Sequence, residues 1–153
     1  MRPRSLSCCL AVALAGLIFG GCGKEDPTAP LPQISRISAA QNTWKAANLR
    51  SYSFYSRVSC FCLDEYAAAK RVTVQAGVVT EVVDVRTGIP VPLTWRQPVD
   101  SLFALALREA IELPSRLEVT FDPRLGYPKR LSFGRQEVDA GAVIVIDSLR
   151  AIP

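Results

Sequence analysis

Across residues 52 to 63 the chain alternates, with Tyr52, Phe54, Val58, Cys60 and Cys62 on one side and Ser53, Arg57 and Ser59 on the other. Successive side chains of an extended strand point to opposite faces, so this pattern suits a sheet with one apolar face and one solvated face. Residues 71–75 and 78–85 predict two further strands around Ala76-Gly77, a pair suited to a tight hairpin turn. Leu117, Val119 and Phe121 alternate with Glu118 and Thr120 as a fourth strand, and Leu131 and Phe133 mark a fifth beyond the Gly126-Tyr127-Pro128 turn. The last strand, residues 142–149, is apolar at nearly every position, which predicts cover on both faces.

Two segments carry helical spacing instead. Ile37, Ala40, Trp44 and Ala47 form one stripe, with Ser35 as the expected N-cap and Asn48 near the end. Val99, Leu102, Phe103, Ala106 and Ala110 form the second. Pro98 suits that helix's first turn, Asp100 adds favourable charge there, and Pro114 ends it. Between the third strand and this helix lies a loop marked by Thr87-Gly88 and Pro90, Pro92 and Pro98, which Trp95 is expected to pin to the body. The expected fold class is therefore α+β: two layers, an antiparallel sheet of about six strands and two helices, in the order αβββαβββ.

The folded part is expected to be a single domain over residues 34–153. Its 120 residues can hide roughly two-thirds of their unfolded surface and so form a core without metal or disulfides. Residues 1–21 have another character. Arg2 and Arg4 precede an apolar run over residues 8–19, followed by Gly20, Gly21 and Cys22, the order of a secretory signal. The run falls short of the ~20 residues that span a bilayer. The segment Phe19-Gly20-Gly21-Cys22 resembles the bacterial lipobox, with phenylalanine at its first position. That resemblance implies cleavage before Cys22 and its lipidation by acyl chains such as palmitate, which together hold a protein to a membrane far better than one chain. Gly23 follows the cysteine where inner-membrane lipoproteins carry aspartate, so the implied address is the outer membrane, facing the periplasm, in a Gram-negative cell. With a single membrane, its outer face is implied. Residues 22–33, with three prolines, read as the lipidated cysteine and an extended tether reaching about 34 Å.

The formal charge of +4, from 18 basic and 14 acidic residues, falls to +2 once Arg2 and Arg4 are removed, and the basic residues are scattered. No nucleic-acid partner is expected. Histidine is absent, which excludes Ser-His and Cys-His dyads and imidazole metal ligands. There is no nucleophile elbow, phosphate loop or dinucleotide fingerprint, so no catalytic residue, cofactor or metal is expected.

The reactive-looking feature is Cys60-Phe61-Cys62. In a regular strand both side chains share a face with Cα atoms ~6.6 Å apart, at the edge of disulfide geometry, so a bond needs a local kink. Three readings stay open: a structural disulfide favoured by an oxidising compartment, two buried thiols serving as small hydrophobes, or a redox-labile bridge or two-thiolate clip for a soft metal.

Trp44, Tyr52-Ser53-Phe54, Cys60-Phe61-Cys62, the hairpin containing Val78, and Leu102-Phe103 together resemble an uncharacterised family of small bacterial lipoproteins with a domain of unknown function. The most specific match is Phe121-Asp122-Pro123-Arg124-Leu125-Gly126-Tyr127-Pro128, similar to an aromatic-Asp-Pro-x-x-Gly-Tyr-Pro signature. Pro98 stands where that family has threonine. The resemblance implies a fold and an address without an activity. The signature itself reads as a turn, with Asp122 accepting backbone hydrogen bonds and Gly126 taking positive φ. Its alternative reading is a binding surface that displays Tyr127 beside Arg124 and Lys129. The expected function is a non-enzymatic binding or interaction module of the envelope, held to the membrane and partnered by an envelope protein or component. The alternative is a redox-labile or soft-metal-binding protein using Cys60 and Cys62.

Overall fold

The computed structural model describes residues 30–134 and 141–153; the signal segment, Cys22 and the tether up to residue 29 lie outside the described residues. Helix α1 spans Pro30–Ala46, so it takes over residues 30–33, which the sequence assigned to the tether. The prolines permit this because Pro30 and Pro32 sit in the first turn, where no intrahelical N–H bond is needed. Gln33, the last residue of the expected tether, is buried, and its Nε2 donates to the Leu117 carbonyl at 2.7 Å.

Six strands follow: β1 Tyr52–Cys60, β2 Lys70–Gln75, β3 Val78–Asp84, β4 Glu118–Phe121, β5 Pro128–Gly134 and β6 Gly141–Ala151. They form one antiparallel sheet in the order β3-β2-β1-β6-β5-β4. The expected α+β class and sheet are therefore what the chain adopts. A one-turn helix, α2 (Asp64–Ala67), is an addition to the expected two, and α3 covers Val99–Glu112. Because β3 and β4 lie at opposite edges, the segment carrying α3 must take the chain across the sheet. Helices α1 and α3 pack together on one face. Ala76 and Gly77 both have positive φ, as a two-residue type I′ hairpin requires. Beyond Gly88 the chain returns along β3, where the Val91 amide donates to Val82 and the Asp84 amide to Ile89, which covers part of that edge.

The core lies between the sheet and the two long helices. Ile37, Trp44, Tyr52, Phe54, Val72, Phe103, Leu131 and Ile146 are nearly inaccessible to solvent. Trp44 meets Tyr52 edge-on at 5.2 Å and Tyr127 at 6.4 Å, and Phe103 stacks on Phe121.

The other face of the sheet is open, which corrects the expectation that β6 is covered on both sides. Val143 and Val145 pair in register with Ser59 and Arg57 of β1 and with Ser132 and Arg130 of β5, all on that open face. These valines are half-buried, because long side chains such as Arg57 and Arg130 shade apolar neighbours with their aliphatic stems. Ion pairs Arg57–Asp147 and Arg71–Glu81 lie exposed there, where such pairs contribute little.

Candidate functional site

The hairpin between β4 and β5 holds the signature motif. Asp122 Oδ1 accepts the amide hydrogens of Arg124 at 3.0 Å and Leu125 at 2.8 Å, while the Asp122 amide donates to Tyr127 O at 2.8 Å. Gly126 has φ +78° and touches α1: a Cβ there would collide with the Ala40 carbonyl and stand 2.9 Å from Thr43 Cβ. The motif is therefore a turn shaped to fit a helix. Tyr127 is 5 % exposed and packs on Trp44, so the alternative of a displayed Tyr127 is corrected; burial also pushes its hydroxyl pKa up. Arg124 and Lys129 are exposed at either side of the buried ring.

Cys60 and Cys62 are disulfide-bonded, with Cα atoms 5.3 Å apart. Strand β1 ends at Cys60, so the alternation does not extend to Cys62 and the chain bends to close the bond. Cys60 is half-buried and Cys62 is exposed, and the bond between them sets aside the reading of two buried thiols. Phe61 and Leu63 are 82 % and 76 % exposed on the same loop. Among the described residues no group of three or more Cys, Asp or Glu gathers to hold a metal ion.

Behind this loop, two buried cations organise the polypeptide. Lys70 lies at an inward position of β2, in phase with Val72 and Val74, and faces Asp84 of β3 in register. Its three ammonium protons are matched by Asp84 Oδ2 at 2.9 Å, Glu65 O at 2.6 Å and Ala68 O at 3.1 Å. Asp84 Oδ1 accepts the amide hydrogens of Arg86 and Thr87, closing the Thr87-Gly88 turn. The hydrogen bond from Lys70, helped by Thr87, holds the Asp84 carboxyl down at about 2.

Arg96 is the second cation. It follows a single 3₁₀ turn, Leu93–Trp95, and is 6 % exposed. Its guanidinium donates to Trp95 O at 2.7 Å, Tyr66 O at 2.8 Å and Ala68 O at 3.0 Å, and lies 5.2 Å from the Tyr66 ring centre. Trp95 meets Tyr66 edge-on and lies beneath Lys70 Nζ, so it does pin the proline-rich loop. Lys70 and Arg96 share the Ala68 carbonyl, yet Asp84 pairs with Lys70 alone. Among the described residues Arg96 has no carboxylate partner, and its Nε–H has no acceptor. Burial pushes its pKa below the ordinary arginine value, although a guanidinium stays charged at neutral pH.

Arg96 forms part of the wall of a cleft of about 330 Å³ at the end of the sheet that α1 and α3 leave uncovered. Val58 and Cys60 of β1, Phe133 of β5 and Ala142 and Ile144 of β6 make its floor; Leu102 and Leu105 of α3, Tyr66 and Trp95 make its sides. Ser56, Thr94 and Gln97 add neutral polar atoms, and among the described residues neither Asp nor Glu lines it. A concave apolar surface of this size with a few polar groups has the character of a small-molecule site.

A family model described as a family of unknown function, DUF6174, matches residues 36–151. The chain belongs to the DUF6174 family. None of the curated proteins matches this DUF6174 chain. The match reaches from α1 to the last residue of β6, so the cleft, the disulfide and the signature turn all belong to the DUF6174 domain.

Of the residues singled out from sequence, Cys60 lines the cleft and Cys62 stands beside it, whereas Arg124 and Tyr127 belong to the separate β4–β5 turn and Lys129 to the start of β5. Lys70, Asp84 and Arg96 escaped that reading. Lys70 and Asp84 left a signal, a cation and an anion at apolar-phase positions of neighbouring strands. Arg96 left none, because it lies in a loop without periodicity.

Proposed function

We propose that this DUF6174 protein is an exported lipoprotein, anchored through Cys22, that serves as a non-enzymatic binding module of the cell envelope. Its implied location is the outer membrane facing the periplasm in a Gram-negative host. The anchor rests on the lipobox-like Phe19-Gly20-Gly21-Cys22 behind a basic and apolar leader. The observation that carries the binding role is the apolar cleft beneath α3, whose wall among the described residues includes one buried cation and no acid-base pair. No described helix is long and apolar enough to cross a membrane.

The anchor is tested by fractionation: Cys22→Ser moves the protein out of the membrane fraction, and a variant that stays there, with no lipid on the wild-type chain by mass spectrometry, refutes it. The binding role is tested by crosslinking in intact cells, comparing wild type with Ala142→Phe, which puts a large ring into the cleft floor. A repeatable crosslinked component lost in the variant supports the reading. Turnover of an envelope substrate without any such component contradicts it.

A second reading, a redox-labile bridge, draws on the exposure of Cys62. An exposed disulfide is open to thiolate attack, and a soft metal such as Cu(I) could bind only after both sulfurs are reduced to thiolates.

A further inference from the structure

We propose that the cleft beneath α3 binds a single-chain amphiphile carrying one negative charge, of the fatty-acid class, with its head group near Arg96 and its chain over the floor formed by Val58, Phe133 and Ile144. This rests on the reading of the cleft as the binding surface and specifies its ligand.

The first argument is charge. Two cations, Lys70 and Arg96, are buried within reach of the same Ala68 carbonyl, and among the described residues the one carboxylate paired with them belongs to Lys70. A buried charge without a counter-ion is costly. Backbone carbonyls satisfy three of the five guanidinium N–H groups, but they carry no formal charge, and Nε–H is left without an acceptor. A single anion would neutralise the site, whereas a neutral ligand would leave the charge unpaired and a cation would be repelled.

The second argument is the shape and chemistry of the remaining wall. Apart from Arg96, the cleft is lined by aliphatic and aromatic side chains with a few neutral polar groups. Its volume of about 330 Å³ lies at the small end of ligand sites, suited to one alkyl chain and too small for a folded peptide element.

The test is a titration of the full chain carrying Cys22→Ser with octanoate, octan-1-ol and octylamine, which share a tail and differ in the charge of the head. Octanoate is expected to bind one per chain, at least about tenfold more tightly than octan-1-ol, with no saturable binding of octylamine. Arg96→Gln is expected to bring octanoate to the affinity of octan-1-ol, and Ala142→Phe to abolish both. If Arg96→Gln fails to fold, the head-group series on the chain with native Arg96 decides alone. Equal affinity for octanoate and octan-1-ol, lost in Ala142→Phe, would overturn the anionic ligand class and leave the cleft as a binding surface. Absence of binding by all three overturns the amphiphile. If Ala142→Phe also leaves the cellular crosslinks unchanged, the cleft reading falls with it.

Discussion

The Tyr52 hydroxyl lies 3.0 Å from the Val99 amide nitrogen and accepts its hydrogen, so a side chain of β1 caps the first turn of α3. The residue before the helix, Pro98, has no side-chain acceptor, and the first amides of a helix have no intrahelical partner. Tyr52 thus serves the Val99 amide from across the core, whereas a side-chain cap at position 98 would serve the amides of Asp100 or Ser101. The same bond places the N-terminal end of α3, whose Leu102 and Leu105 wall the cleft.

Tyr52→Phe removes the acceptor and leaves a buried N–H unpaired. A loss of about 1–3 kcal/mol is expected in denaturant unfolding. Unchanged stability would show that the amide finds another acceptor.

Alkaline pH tests the same group. Burial, with a smaller contribution from Asp100, pushes Tyr52 up to about 12, from an ordinary value near 10. Between those values the unfolded chain has lost the phenolic proton while the folded chain retains it, so stability falls as pH rises from 10 to 12. The contribution is fully present below pH 10. Tyr52→Phe should flatten this part of the stability profile relative to wild type.

Gly126→Ala forces positive φ on a residue with a Cβ and drives that atom into the Ala40 carbonyl of α1. Strain and overpacking together predict a loss of at least about 2 kcal/mol, read as a lower unfolding midpoint. Gly88→Ala is the control, because it shares the positive φ but has open space around it, and it should cost less.

Acid unfolding reports on Asp84. Its carboxyl, held at about 2 by Lys70, protonates more readily in the unfolded chain, near 3.8. Its contribution is present above pH 4 and is lost as pH falls towards 2. The difference between wild type and Asp84→Asn should therefore shrink across that window, as followed by circular dichroism.

The disulfide closes a ring of three residues, which leaves little chain entropy for it to remove. Cys60→Ala with Cys62→Ala should remain folded, with a loss of about 1 kcal/mol. Under native conditions alkylation should require reductant, and Cys62 should then react before the half-buried Cys60, as resolved by peptide mass spectrometry.

The alternation of Tyr52, Phe54 and Val58, the Ala76-Gly77 turn and the spacing of Val99 to Ala110 made the strands, the first hairpin and α3 legible in the sequence, because period and turn chemistry are local properties. The shading of Val143 and Val145 by arginines on neighbouring strands is not local, so β6 read as a strand buried on both faces. Pro30 and Pro32 looked like tether because proline marks helix starts and extended linkers alike. The cleft was illegible for a related reason. It exists where α3 stops covering the sheet, and Arg96 acquires its meaning only when Tyr66 and Ala68, 30 and 28 residues away in sequence, fold around it.

The central claim is that this uncovered end of the sheet is where the protein meets its ligand. A photoreactive benzophenone side chain placed at Gln97, an exposed residue of the cleft lining, and separately at the exposed Thr80 of β3, tests it in intact cells under ultraviolet light. The account predicts a reproducible adduct from position 97 that is absent from position 80. Identical adducts from both positions, or none from position 97, would contradict it.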